Sequence, residues 1–186
     1  MTQVTSMFKE SNFKKLQACL IIFLCFAWTI YIYVNGVIIS SDAHAAYLPW
    51  AESLIKYNFN IFEFLNHVHH RASPAFYSIW VAMIAISKLF LKDHWGAGIV
   101  ALNLLAGISI ATIFIKTSWR ITRNIICTFF SAIFFLFCYD FHLWIPFTQP
   151  DIIFVLICFS VFSIAVSICL NPTNPQRRIL GILVLE

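Results

Sequence analysis

Four aspartates and six histidines carry most of the chemistry this chain can offer, and they are unevenly placed. Asp42 ends a long apolar run in Ser40-Ser41-Asp42, and Asp151 opens another in Gln149-Pro150-Asp151. Each acid also has a plain structural use. Asp42 can end a helix at a membrane interface, and Asp151 can cap a helix start or complement its dipole. Asp140 reads as a residue that closes the preceding helix. The tract His67-x-His69-His70 has imidazoles that suit zinc or copper. Its only acid near ligand spacing is Glu63, so hydrogen bonding to a sugar or phosphate, or polar lining of a loop, are the other readings. Arg71 follows directly. Its forked donors suit a phosphate, whether of a ligand or of a lipid headgroup. Cys19, Cys25, Cys127, Cys138, Cys158 and Cys169 all sit in apolar runs with no C-x-x-C pair, and read as small hydrophobes. No structural metal site is expected.

The elements that must position these groups are set by composition. The 186 residues are 61% hydrophobic and only 11% charged. Soluble domains carry about 25% charged residues, and a chain this small cannot hide so much apolar surface in one globule. A soluble domain, a disordered chain and a nucleic-acid binder are excluded. The expected fold class is all-α, a multi-pass integral membrane helical bundle. The first apolar run, 16–39, is too long for the h-region of a signal peptide, despite the A-x-A pattern of Ala43-His44-Ala45. It is read as an uncleaved span. Further spans are expected over 97–116, 124–141 and 151–170, with a truncated one from 178. The chain thus reads as one transmembrane module, 1–186, and as a fragment of a longer protein. Between 42 and 93 lies a polar outer loop. In it Ala46, Trp50, Leu54 and Tyr57 share a helical face, which predicts a helix along the membrane surface.

Whether the run 75–91 crosses is decided by the positive-inside rule. If it does not cross, Lys9, Lys14, Lys15, Lys116, Arg120, Arg123, Arg177 and Arg178 fall inside, eight in all, against four outside: Lys56, Arg71, Lys88 and Lys92. That topology puts the N-terminus in the cytoplasm. It also puts every Asp and every His on the outer side, a polar face beneath which a site is expected.

The order of these weak motifs carries a resemblance. One helix leads into Ser40-Ser41-Asp42, an amphipathic stretch Tyr47…Ala51…Leu54 follows, and a basic, His-rich turn runs into Pro74-Ala75-Phe76-Tyr77. A non-crossing apolar segment, two helices joined by a basic loop, and Gln149-Pro150-Asp151 complete it. Over roughly residues 16–170 this resembles the N-terminal half of the C-type (GT-C) glycosyltransferases, which include protein O-mannosyltransferases and aminoarabinose transferases.

The resemblance implies a donor sugar carried on a polyprenyl phosphate and transferred at the outer membrane face. It implies that Asp42 is the general base or a metal ligand, since an acceptor hydroxyl or amide must lose a proton as it attacks the anomeric carbon. Asp151 corresponds to the second acid, which binds a divalent metal ion or positions the acceptor. Arg71, His69 and His70 correspond to the groups that contact sugar or lipid phosphate. The Pro-Pro-x-x-Tyr stretch of the family keeps one Pro here, and the basic residue is displaced from it. Membrane lipid and the lipid-linked donor are the expected partners, no oligomeric state is implied, and a bacterial inner membrane is the expected setting. A non-enzymatic multi-pass protein, a transporter subunit or scaffold, is the alternative.

Overall fold

The computed structural model describes residues 2–67 and 78–170. His69, His70, Arg71 and the apolar run from 178 lie outside the described residues. The protein is an all-α helical membrane bundle, and no strand occurs among the described residues. Its helices are α1 (Thr2–Asn35), α2 (Leu48–Lys56), α3 (Ile61–His67), α4 (Ser78–Leu91), α5 (Trp95–Thr122), α6 (Ile125–Leu136), α7 (Tyr139–Leu143) and α8 (Asp151–Leu170). Among the described residues, three stretches are long and apolar enough to cross a membrane: Ser11–Asn35, Ser78–Thr122 (which contains α4 and α5) and Asp151–Leu170.

Local chemistry sets the ends of these helices. Gly36 adopts φ +72°, and its N–H donates to the Ile32 carbonyl at 2.8 Å. A residue with no Cβ is suited to end α1 in this left-handed way. Pro49 stands in the first turn of α2, directly after a π-turn over Ala43–Tyr47. Arg123 turns left-handed at the end of α5, and the Asn124 side chain then accepts the Ile126 N–H to start α6. The result is a tight α5–α6 reversal.

Helix α5 is the central post. It packs against α1, α4, α6 and α8. Its start lies beside the end of α1, where a Cβ on Gly96 would meet Val37 at 2.9 Å. Its end lies beside the start of α1, where Phe13 stacks on Trp119 at 4.9 Å. Helices α1 and α5 are therefore antiparallel. On α8, Ser163 accepts from Thr117 at 2.9 Å and Ser167 accepts from Arg120 at 2.7 Å, so α8 runs parallel to α5. Inside a bilayer the hydrophobic effect does not drive helices together; close packing and interhelical hydrogen bonds do. Gly107 shows the first of these: a Cβ there would meet Ile145 at 2.8 Å and the Trp28 ring at 3.0 Å.

Two cores result. One joins α1, α5, α6 and α8 around Trp28, Ile110, Ile115, Phe135 and Ile152. The other joins α2, α3, α4 and the first half of α5 around Tyr47, Leu54, Phe64, Trp80, Ile84 and Ile99. The buried face of the α2 region is Ala43, Tyr47, Ala51 and Leu54, with Ala46 and Trp50 only partly buried. The stripe expected from the sequence is displaced by part of a turn. The π-turn over Ala43–Tyr47 feeds α2, and the expected and buried sets share Leu54 and the same helical spacing, so the apolar pattern alone does not choose between the two faces. The 14 residues of α4 rise about 21 Å, short of a hydrocarbon core of about 30 Å.

The charges sort to the two ends of the bundle. Lys14, Lys15, Lys116, Arg120 and Arg123 flank the Phe13–Trp119 stack. Asp42, Glu52, Lys88, Asp93 and Asp151 lie at the opposite end, with Lys88 paired to Glu52.

Candidate functional site

The segments carrying Asp42 and Asp151 are tied to each other. After α1 stops at Asn35, residues 37–40 run alongside 146–148 in a short parallel pairing, with Ile38 opposite Phe147. The Ile38 N–H donates to the Pro146 carbonyl at 3.0 Å, and the Thr148 N–H donates to the Ile38 carbonyl at 3.1 Å. The buried Ser40 N–H then donates to Oγ1 of the buried Thr148 at 3.2 Å.

Both segments turn into helices immediately afterwards. The Ser40 hydroxyl accepts the Ala43 N–H at 3.0 Å, an N-terminal capping bond, so Asp42 stands in the first helical turn. Asp151 is the first residue of α8, and the Phe154 N–H donates back to Pro150 at 3.1 Å. Both carboxylates are solvent-facing. Each complements the positive end of its own helix. The structure thus brings the two acids to one end of the bundle, each at a helix start.

Beneath Asp151 the chain does something unusual for a membrane protein. Helix α6 has only 12 residues and stops at Leu136, where the sequence predicts one span over 124–141. Residues 137–150 climb the rest of the way with α7 as the only helix. Trp28, seven residues before the end of α1, sits about 10 Å below that end. It donates from Nε1 to Nδ1 of His142 at 3.1 Å. The other ring nitrogen, Nε2, lies 3.2 Å from the Phe135 carbonyl. A Trp N–H only donates, so Nδ1 accepts, Nε2 carries the proton, and the imidazole is neutral.

Higher up, Asn103 of α5 is fully buried and donates from Nδ2 to the carbonyls of Phe147 at 2.6 Å and Ile145 at 3.4 Å. Its Oδ1 is without a partner. Turning the amide over would face oxygen to oxygen, so this orientation is the one the network supports. Irregular backbone at membrane depth persists only where protein satisfies its polar groups; Asn103, His142 and Thr148 do this. Sequence reasoning missed these residues. The available signal was Asn103 itself, a polar residue inside an uncharged apolar run.

A cavity of about 380 Å³ opens between α6, α7 and α8. Phe135, Phe141, Trp144, Ile152 and Phe159 line it, with Asp151 at its edge. Asp42 is not among its lining residues. The arrangement gives one carboxylate on the rim of an open apolar cavity and a second at another helix start at the same end. Asp140 falls within α7, and His67 is the last residue of α3. Among the described residues no three His, Cys, Asp or Glu side chains gather closely enough to hold a metal ion.

No family model matches the chain, and neither a curated protein nor a solved structure matches it.

Proposed function

We propose that the chain is a transmembrane module of a C-type membrane glycosyltransferase, taking a sugar from a polyprenyl-phosphate-linked donor. The reading rests on the resemblance carried by the motif order. One structural observation supports it: residues 37–40 and 146–148 pair in parallel and deliver Asp42 and Asp151 to one end of a membrane bundle. In this reading Asp42 accepts the proton of the attacking hydroxyl or amide, and Asp151 positions the acceptor at the cavity rim. Arg71, His69 and His70 supply donors to the donor phosphate. The resemblance also implies a divalent metal ion. Among the described residues no three His, Cys, Asp or Glu side chains gather closely enough to hold one. The cationic end faces the cytoplasm, as the positive-inside rule requires, and the reaction end faces outward from a bacterial inner membrane.

The test is a transfer assay with the longest natural reading frame containing this chain, a polyprenyl-phosphate sugar as donor, and Asp42→Asn and Asp151→Asn variants. Sugar transfer by the wild type, lost in Asp42→Asn with membrane insertion intact, supports the reading. Full transfer by Asp42→Asn removes Asp42 as the base. A second reading, a non-enzymatic subunit or scaffold, is favoured by one observation: each acid occupies a first-turn position that suits an acid whatever the protein does. A wild-type protein that consumes no lipid-linked sugar supports that reading.

A further inference from the structure

The opposite end of the bundle carries a second feature, independent of the acids. A groove of about 580 Å³ lies between α6 and α8, floored by α5 and open to the side. Phe114, Phe159 and Phe162 form its apolar part, and Thr117, Ser118 and Ser131 add hydroxyls. It shares Phe114 and Phe159 with the cavity below Asp151, so the apolar path continues along the bundle. Beside the Thr117–Ser118 floor stands Arg120, half-buried, with Nη1 on Ser167 Oγ. A guanidinium has five N–H donors, and this bond engages one. Exposed Lys116 and Arg123 flank it.

We propose that this groove holds one anionic glycerophospholipid, its phosphate at Arg120 and its acyl chain along the phenylalanines. Charge complementarity selects the occupant. The three cations at the groove, Lys116, Arg120 and Arg123, have no carboxylate partner among the described residues, and Asp42, Glu52, Glu63, Asp93 and Asp151 all belong to the other end. Basic pockets between helices on the cytoplasmic side suit anionic headgroups. The lining argues against a helix as occupant. Helices approach closely over small residues, whereas three phenylalanine rings leave slots that a flexible hydrocarbon chain fills.

The test is native mass spectrometry of the full chain in detergent, with phosphatidylglycerol or phosphatidylcholine added at equal concentration. One retained phosphatidylglycerol per chain is expected, with phosphatidylcholine held at least about fivefold more weakly. Arg120→Gln should weaken phosphatidylglycerol about fivefold, while Lys15→Gln, at the same end but away from the groove, should not. Cys158→Trp fills the groove and should abolish retention; Cys158→Ser should keep it. Helix content by circular dichroism separates loss of the site from loss of the fold. Equal retention of both lipids overturns the proposal. So does an equal effect of Lys15→Gln, which would mark general headgroup attraction, or retention undiminished in Cys158→Trp. A chain–chain dimer lost in Cys158→Trp would assign the groove to a second copy and also overturn it.

Discussion

Ser40 and Thr148 are 108 positions apart, and the Ser40 N–H donates to the Thr148 hydroxyl oxygen at 3.2 Å. Both residues are buried. The bond stitches the exit of α1 to the entry of α8, and each strand of the stitch ends in a carboxylate within three residues. Neither acid is placed by a long-range contact of its own. Their proximity to one end is a property of backbone pairing, and that makes it testable apart from any activity.

Thr148→Val keeps the shape of the side chain and removes its hydroxyl. The buried Ser40 N–H then loses its acceptor. Leaving such a group unpaired costs about 1–3 kcal/mol, so the thermal midpoint in detergent should fall measurably. Thr148→Ser keeps the oxygen and should restore most of the loss. An unchanged midpoint in Thr148→Val would show that the pairing does not hold the two segments together.

Asn103→Leu should destabilise the same region from the other side. The amide is the described side-chain donor to two carbonyls of the 145–147 segment, and leucine offers none at membrane depth. The expected loss is about 1–3 kcal/mol, accompanied by faster proteolysis within 137–150 while α5 stays intact. Proteolysis that begins instead in α5 would mean that Asn103 supports its own helix rather than the neighbouring segment.

The contrast between these two residues shows what the sequence made legible. Spans over 16–39 and 151–170 could be read because uninterrupted apolar length is a local property. The first span reads as far as 39, whereas α1 stops at Asn35 and Gly36 turns left-handed. The break of α6 at Leu136 could not be read, since Phe137 and Cys138 are as apolar as the residues before them. What ends that helix is a tertiary arrangement, Trp28 and His142 meeting across 114 positions. The Lys/Arg count already puts Asp42 and Asp151 on one side, but the Ile38–Phe147 pairing that ties their segments together is announced by no periodicity. The face of α2 was read off by part of a turn because the neighbouring apolar sets Ala46-Trp50-Leu54 and Tyr47-Ala51-Leu54 both fit the helical period, and only packing chooses between them.

His142 gives a prediction with a definite sign. Its Nδ1 accepts from Trp28, so protonation there would set one N–H against another. Burial of the ring lowers its pKa below the ordinary histidine value, so the folded protein favours the neutral ring and the unfolded chain takes up the proton more readily. Stability is therefore full above the ordinary histidine range, about pH 6.5, and is lost as pH falls through and below it. Melting measured from about pH 8 to about pH 5 should show that decline, and His142→Gln should flatten it. A variant with the same acid-side decline as wild type would move the cause elsewhere.

The ends of the bundle predict an orientation. With the six native cysteines replaced by serine, single cysteines at Asp93 and Arg123, both exposed, report on opposite ends. In the proposed orientation the cationic end faces the cytoplasm, as the positive-inside rule requires. A membrane-impermeant thiol reagent added to intact cells should label position 93 and reach position 123 only after permeabilisation. The reverse pattern would put both acids in the cytoplasm and, with them, the proposed chemistry on the wrong face for an outward-facing donor.

The acids themselves separate a catalytic role from a helix-end role by the size of two effects. Each carboxylate lies in the first turn of a helix, where removing its charge weakens the helix start slightly. Asp42→Asn and Asp151→Asn should therefore melt within about 4 °C of wild type. A general base is worth far more to the reaction, about a hundredfold to ten-thousandfold in rate. If Asp42 takes the acceptor's proton, Asp42→Asn loses transfer by that factor while its melting hardly moves, and Asp42→Glu recovers part of the rate. If Asp151 positions the acceptor instead, its Asn variant should raise the acceptor's KM more than it lowers kcat. Equal small losses in rate and stability for both variants would mean that the carboxylates serve their helices alone.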